Sequence, residues 1–177
     1  MGGRIYLLAI CLLIGCGSTQ IQTIDYPGAN SKVNILKIWH KVTSGDLDNF
    51  STIYSSEIKE GQKKPTEITL YFYAKPGNPE LDGRAIIKID NKSYELKVTD
   101  TASTIESKRS GQVGFFGIYE SWKTLKGKII ITQEIEQMIK TSTNFEFVIF
   151  SGSAPTNLQV TQDQLNKVKE LLNYNTK

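Results

Sequence analysis

The chain has 177 residues, 39% of them apolar and 22% charged, and a formal charge of +3 at neutral pH. That length fits one domain with its own core, and the composition excludes a disordered or membrane-embedded body. The charge is small and the Lys63-Lys64 and Lys108-Arg109 pairs are isolated, so no nucleic-acid partner is expected.

Residues 1–15 read as a signal peptide. Arg4 and the amino terminus are positive, and residues 5–14 form an uncharged apolar run. The run is too short for a membrane-spanning helix, which takes about 20 residues. Leu13-Ile14-Gly15-Cys16 follows. This tetrapeptide resembles the lipobox of bacterial lipoproteins, with Ile14 where Ala or Ser is commoner, and the resemblance covers only this start of the chain. It implies cleavage after Gly15, a diacylglycerol thioether on Cys16, and a mature chain held to a membrane of the cell envelope by that lipid. Each buried methylene of such an anchor contributes about 0.8 kcal/mol. Gly17 stands where Asp favours the inner membrane of enteric-type diderm bacteria, so the outer membrane is the expected address. No family is recognised for the rest.

Residues 16–31 read as the lipidated cysteine and a flexible tether, rich in Gly, Ser, Thr, Gln and Asn and carrying Pro27-Gly28. A single globular domain is expected over residues 32–177. Residues 33–43 place Leu36, Ile38 and Val42 on one face of a strand, with a helix as the alternative, and Ser44-Gly45-Asp46 ends the element. Asp46-Leu47-Asp48-Asn49 lacks the glycine and distal glutamate of a calcium loop and reads as a polar turn. Residues 57–65 read as an exposed loop.

Ile68, Leu70, Phe72 and Ala74 alternate with Thr69, Tyr71 and Tyr73, the period of a strand, which Pro76-Gly77 closes. Residues 84–97 form an expected hairpin turning at Asp90-Asn91-Lys92, since Asp and Asn tolerate the left-handed backbone of tight turns. Residues 100–111 are small and polar and read as a loop. Residues 113–122 read as an aromatic strand and residues 128–131 as a short buried one.

Thr132 caps an expected helix with Ile135, Met138 and Ile139 on one face. Thr161 and Gln164 fit a capping box before the stripe Leu165, Val168, Leu171 and Leu172, which Asn173 ends. Between the helices, residues 145–150 read as an interior strand. The whole is an α+β fold: a mostly antiparallel sheet or sandwich of about six strands, with two amphipathic helices in the C-terminal half.

Chemistry is sparse. Both cysteines, Cys11 and Cys16, lie in the first 16 residues, and His40 is the only histidine, so neither a metal site nor a cofactor is expected. Ser153 follows a strand, but its segment lacks the second glycine of a nucleophile elbow, and its one candidate base is His40, expected at the surface or on an edge strand beside Trp39. Gly111, Gly114 and Gly117 match no phosphate-binding loop and suit a bend or bulge. Phe115, Phe116, Tyr119 and Trp122 crowd one segment; they either fill the core or form a contact surface. Strand alternation sends Phe116, Ile118 and Trp122 to one face and Phe115 and Tyr119 to the other. Exposing both faces would carry a solubility cost, so at most one set is expected to be functional, and Phe115 and Tyr119 are the candidate ligand-binding residues. No catalytic constellation emerges. The preferred reading is an envelope lipoprotein acting as a non-enzymatic binding or assembly module for a protein, peptidoglycan or a surface ligand. The alternative is a small envelope hydrolase using carboxylates or a serine.

Overall fold

The computed structural model describes residues 20–40, 47–113, 116–152 and 154–174. The signal segment, Cys16, the break at residues 44–46, Phe115 and Ser153 lie outside the described residues.

Among the described residues, ten strands and two α-helices follow in order: β1 (Ile21–Tyr26), β2 (Ser31–His40), β3 (Leu47–Lys59), β4 (Gln62–Lys63), β5 (Glu67–Ala74), β6 (Leu81–Ile89), β7 (Lys92–Val113), β8 (Phe116–Ile130), α1 (Gln133–Thr141), β9 (Phe145–Ser151), β10 (Ala154–Gln159) and α2 (Gln162–Asn173). The strands join one sheet in the order β1-β2-β3-β5-β8-β7-β6-β9-β10, with β4 paired to β3, and each pairing is antiparallel. The expected α+β class and its two late helices are therefore present, but the sheet has ten strands and not about six.

The differences have physical causes. β1 lies in the segment read as a tether and pairs along its whole length with β2. β3 begins where a polar turn was expected and ends inside the expected loop at residues 57–65, because its inward positions Thr52, Tyr54 and Ser56 are polar yet fully buried. Residues 100–111 are not a loop but part of the 22-residue β7. Their Ser and Thr carry no apolar alternation, and pairing with β8 decides their conformation. The aromatic strand and the apolar run at residues 128–131 fuse into the single β8.

β7 changes partner midway. Residues 92–97 pair with β6, and from Val98 onward the strand pairs with β8, with a bulge between Thr99 and Ala102 and a left-handed Asp100 (φ 49°). At this handover the sheet is tightly packed. A methyl group at Gly127 would lie 2.6 Å from Val98 Cγ1 and 3.2 Å from Leu81 Cδ1, so only a glycine lets the two buried side chains approach the strand.

The helices cover one face of the sheet and share its core. Both threonine caps form: Thr132 accepts from the Ile135 amide, and Thr161 with Gln164 closes a full capping box. Ile135 and Ile139 of α1 and Leu165, Val168, Leu171 and Leu172 of α2 are buried in one cluster with Leu36, Tyr54, Leu70, Phe72 and Phe147. α2 rests on β2 and β3 and against α1. The buried Glu136 ties α1 down, accepting from the Thr66 amide at 3.0 Å and from Lys63 Nζ at 2.6 Å. Lys63 also donates to the Leu172 carbonyl at the end of α2. At the β6–β7 turn the left-handed Asp90 (φ 52°) accepts from the Thr143 amide and hydroxyl and from the Asn144 amide. The Thr143 donors chiefly hold its carboxyl below the usual range. Among the described residues, no helix is long and apolar enough to cross a membrane.

Candidate interaction surface on the β7–β8 arm

β5 pairs with β8 only over residues 123–130. Beyond Lys123, among the described residues, β8 has β7 as its only strand partner. The two strands therefore run out past the sheet as a two-stranded arm. The unsupported part of β8, residues 116–122, is about 23 Å long at roughly 3.3 Å per residue.

The arm is braced at its root. Glu80, in the loop after β5, accepts from Lys123 Nζ at 2.7 Å and from the Ser103 hydroxyl at 2.8 Å. The same ammonium reaches the Asn78 carbonyl at 2.9 Å. These contacts, the Lys123 and Ser103 bonds first, hold the Glu80 carboxyl below its usual range. The bracing loop is fixed in turn by the Ser151 hydroxyl on the Pro79 carbonyl at 2.8 Å.

The register assigns the faces. Ile105, Ser107 and Arg109 pair with Lys123, Ser121 and Tyr119 on the continuation of the core face. Ser107 and Ser121 share a 2.7 Å hydrogen bond there. Glu106 and Lys108 pair with Trp122 and Glu120 on the opposite face, which Ile118 and Phe116 continue. The sequence thus placed Phe116, Ile118 and Trp122 together, and Tyr119 opposite them, correctly. Both faces carry exposed apolar side chains despite the expected solubility cost: Phe116 is 81% exposed and Ile118 45% on one face, Tyr119 65% and Ile105 60% on the other. Tyr119 is exposed as a contact residue requires. Its companion Phe115 lies outside the described residues, and Phe116 and Ile118 are exposed residues that the choice of face passed over. Gly117 is what lets Tyr119 lie flat. A methyl group there would meet Tyr119 Cε2 at 3.0 Å and Arg109 Nε at 3.2 Å, so the ring and the cross-strand arginine both lean over the glycine.

His40 is not at the surface. It is 6% exposed at the end of β2. Its Nε2 lies 2.7 Å from the Thr52 hydroxyl and its Nδ1 3.5 Å from the Gln159 carbonyl. A carbonyl only accepts, so Nδ1 carries the proton and Nε2 accepts from Thr52. Burial pushes the imidazole down to about 4, against the Gln159 bond, which raises it. Both ring nitrogens are thus engaged, and Ser153, the serine weighed as a partner for His40, lies outside the described residues. Burial likewise pushes the Tyr54 phenol well up; Thr52 influences it, but no hydrogen bond of good geometry closes on its oxygen. Among the described residues, no group of three His, Cys, Asp or Glu is placed to hold a metal.

Comparison with protein-family models, with curated proteins and with solved structures finds no match for the chain.

Proposed function

We propose that the chain is an envelope lipoprotein, anchored through lipid on Cys16, whose folded part is a non-enzymatic binding or assembly module presenting the β7–β8 arm to its partner. The anchor rests on the signal-like start and Leu13-Ile14-Gly15-Cys16; Gly17 favours the outer membrane of a diderm cell. The module reading is carried by one observation. Large apolar side chains that a strand would normally turn inward stand exposed on a braced arm that leaves the core. Exposed aromatic rings offer contact area with little rotamer entropy to lose. The partner class on this reading is a protein, peptidoglycan or a surface ligand of the envelope.

Two measurements test it. The intact mass of the mature protein should show loss of residues 1–15 and a lipid on Cys16, and Cys16→Ser should abolish detergent partitioning. If the substituted protein still partitions like the parent, the anchor is elsewhere. Recovery of envelope partners with Tyr119→Ala should fall while the fold is kept; unchanged recovery would remove the arm from the contact surface.

A further inference from the structure

The distribution of charge along the arm is more specific than its exposure. Residues 110–119 carry no charge, whereas Lys108, Arg109 and Glu120 stand immediately behind them. The segregation runs along the arm, from apolar tip to charged root, and not from one face to the other. Phe116 and Ile118 are exposed on one face and Tyr119 on the opposite one. A groove on a protein covers one face of a ribbon; a lipid surface met end-on surrounds both.

We propose that the tip of the β7–β8 arm docks in the interfacial layer of a lipid bilayer, with Phe116, Ile118 and Tyr119 among the headgroups and Lys108 and Arg109 at the phosphates. The backbone limits the depth. The strands of the arm are paired only with each other among the described residues, and open strand edges are not tolerated in hydrocarbon, where their N–H and C=O groups find no partner. Aromatic rings such as Tyr119 suit the interface itself, a layer of roughly 5–7 Å on each side of the hydrocarbon. Three or four residues of strand, at about 3.3 Å each, are enough to cross it.

The start of the chain points to the same bilayer, a step that rests on the reading of Cys16 as the lipidated residue. The pairings place Ile21 level with Leu36, Tyr54, Ile68 and Ile129, and β1 runs from there away from the arm, so the chain enters β1 travelling from the side toward which the arm points. Five residues from Cys16 to Ile21 span at most about 17 Å, which keeps the sheet against the membrane that holds the lipid. Phe116 stands about 43 Å along β8 beyond the level of Ile21, at roughly 3.3 Å per residue, so a bilayer touching both lies steeply oblique to the strands.

The test uses the full chain expressed in its lipidated form and placed in vesicles of phosphatidylethanolamine with a minor share of phosphatidylglycerol. The readout is the emission that Phe116→Trp adds over the parent, with and without lipids brominated on the acyl chain near the headgroup. The expected result is a blue shift of the added emission and its quenching by the brominated lipid. A Lys108→Glu, Arg109→Glu variant of the same reporter should weaken the quenching. Solvent-like, unquenched emission overturns the proposal, and so does a blue shift without quenching, which would place the ring against protein, such as a second copy of the arm. Intact mass of the same sample separates the two readings. Quenching in a chain without lipid on Cys16 keeps the arm and discards the anchor; a lipidated chain with no quenching keeps the anchor and discards the arm.

Discussion

His40 and Thr52 are diagonal neighbours on β2 and β3, and their 2.7 Å hydrogen bond lies inside the core. The imidazole is held neutral there, at about 4 against about 6.5 in an unfolded chain. Above the unfolded value neither state is protonated and the contribution of the site is complete. Below it the unfolded chain takes up a proton that the folded chain refuses, so stability falls from about pH 6.5 until the folded group titrates near pH 4. The expected loss is on the order of 3 kcal/mol, at 1.36 kcal/mol per pKa unit. Urea melts of the parent and of His40→Gln across this range should show a steeper decline in the parent. Equal slopes would mean that His40 is solvated.

Gly127 should tolerate no side chain. Gly127→Ala drives a methyl group into Val98 and Leu81 where β7 changes partner, and overpacking of this kind costs about 1–3 kcal/mol. A denaturant midpoint equal to that of the parent would show that the handover has slack.

Glu136 should respond differently to two substitutions. Glu136→Ala leaves the buried Thr66 amide without an acceptor and Lys63 without its carboxylate, an expected loss of about 1–3 kcal/mol for the orphaned donor. Glu136→Gln retains an acceptor for the amide and should cost less. Equal losses in thermal melts would mean that charge, and not the amide bond, carries the attachment of α1.

On the arm, Tyr119→Ala and Phe116→Ala should leave stability within about 0.5 kcal/mol of the parent, as exposed positions do. Phe147→Ala, fully buried on β9, should cost about 3–5 kcal/mol. Unfolding of the arm variants would show that these rings are covered in solution.

The fold is legible in the sequence wherever burial and apolarity coincide. Ile68, Leu70, Phe72 and Ala74 mark β5, and Thr161 with Gln164 starts α2 where the helix begins. It is illegible where the inward positions are polar or absent. Thr52, Tyr54 and Ser56 conceal β3, and Lys123 and Gly127 interrupt the inward row of β8. Residues 100–111 look like a loop because a strand exposed on both faces needs no apolar period. Of the candidate site, the crowding of aromatics beside glycines was visible, and so was the division of faces. The arm itself was not, because it depends on how far β5 runs beside β8, and strand length differences are a property of pairing and not of local pattern.

The unsupported arm also bears on how the protein behaves once taken from its surroundings. A ribbon with two open edges is a template for another strand, and proteins blunt such edges with charge. Here Glu106, Lys108, Arg109 and Glu120 guard the root, while the tip has glycines in place of charges. In concentrated, detergent-free solution, self-association starts at the tip and spreads no further than the charged rungs, which predicts short, reversible assemblies in place of fibres.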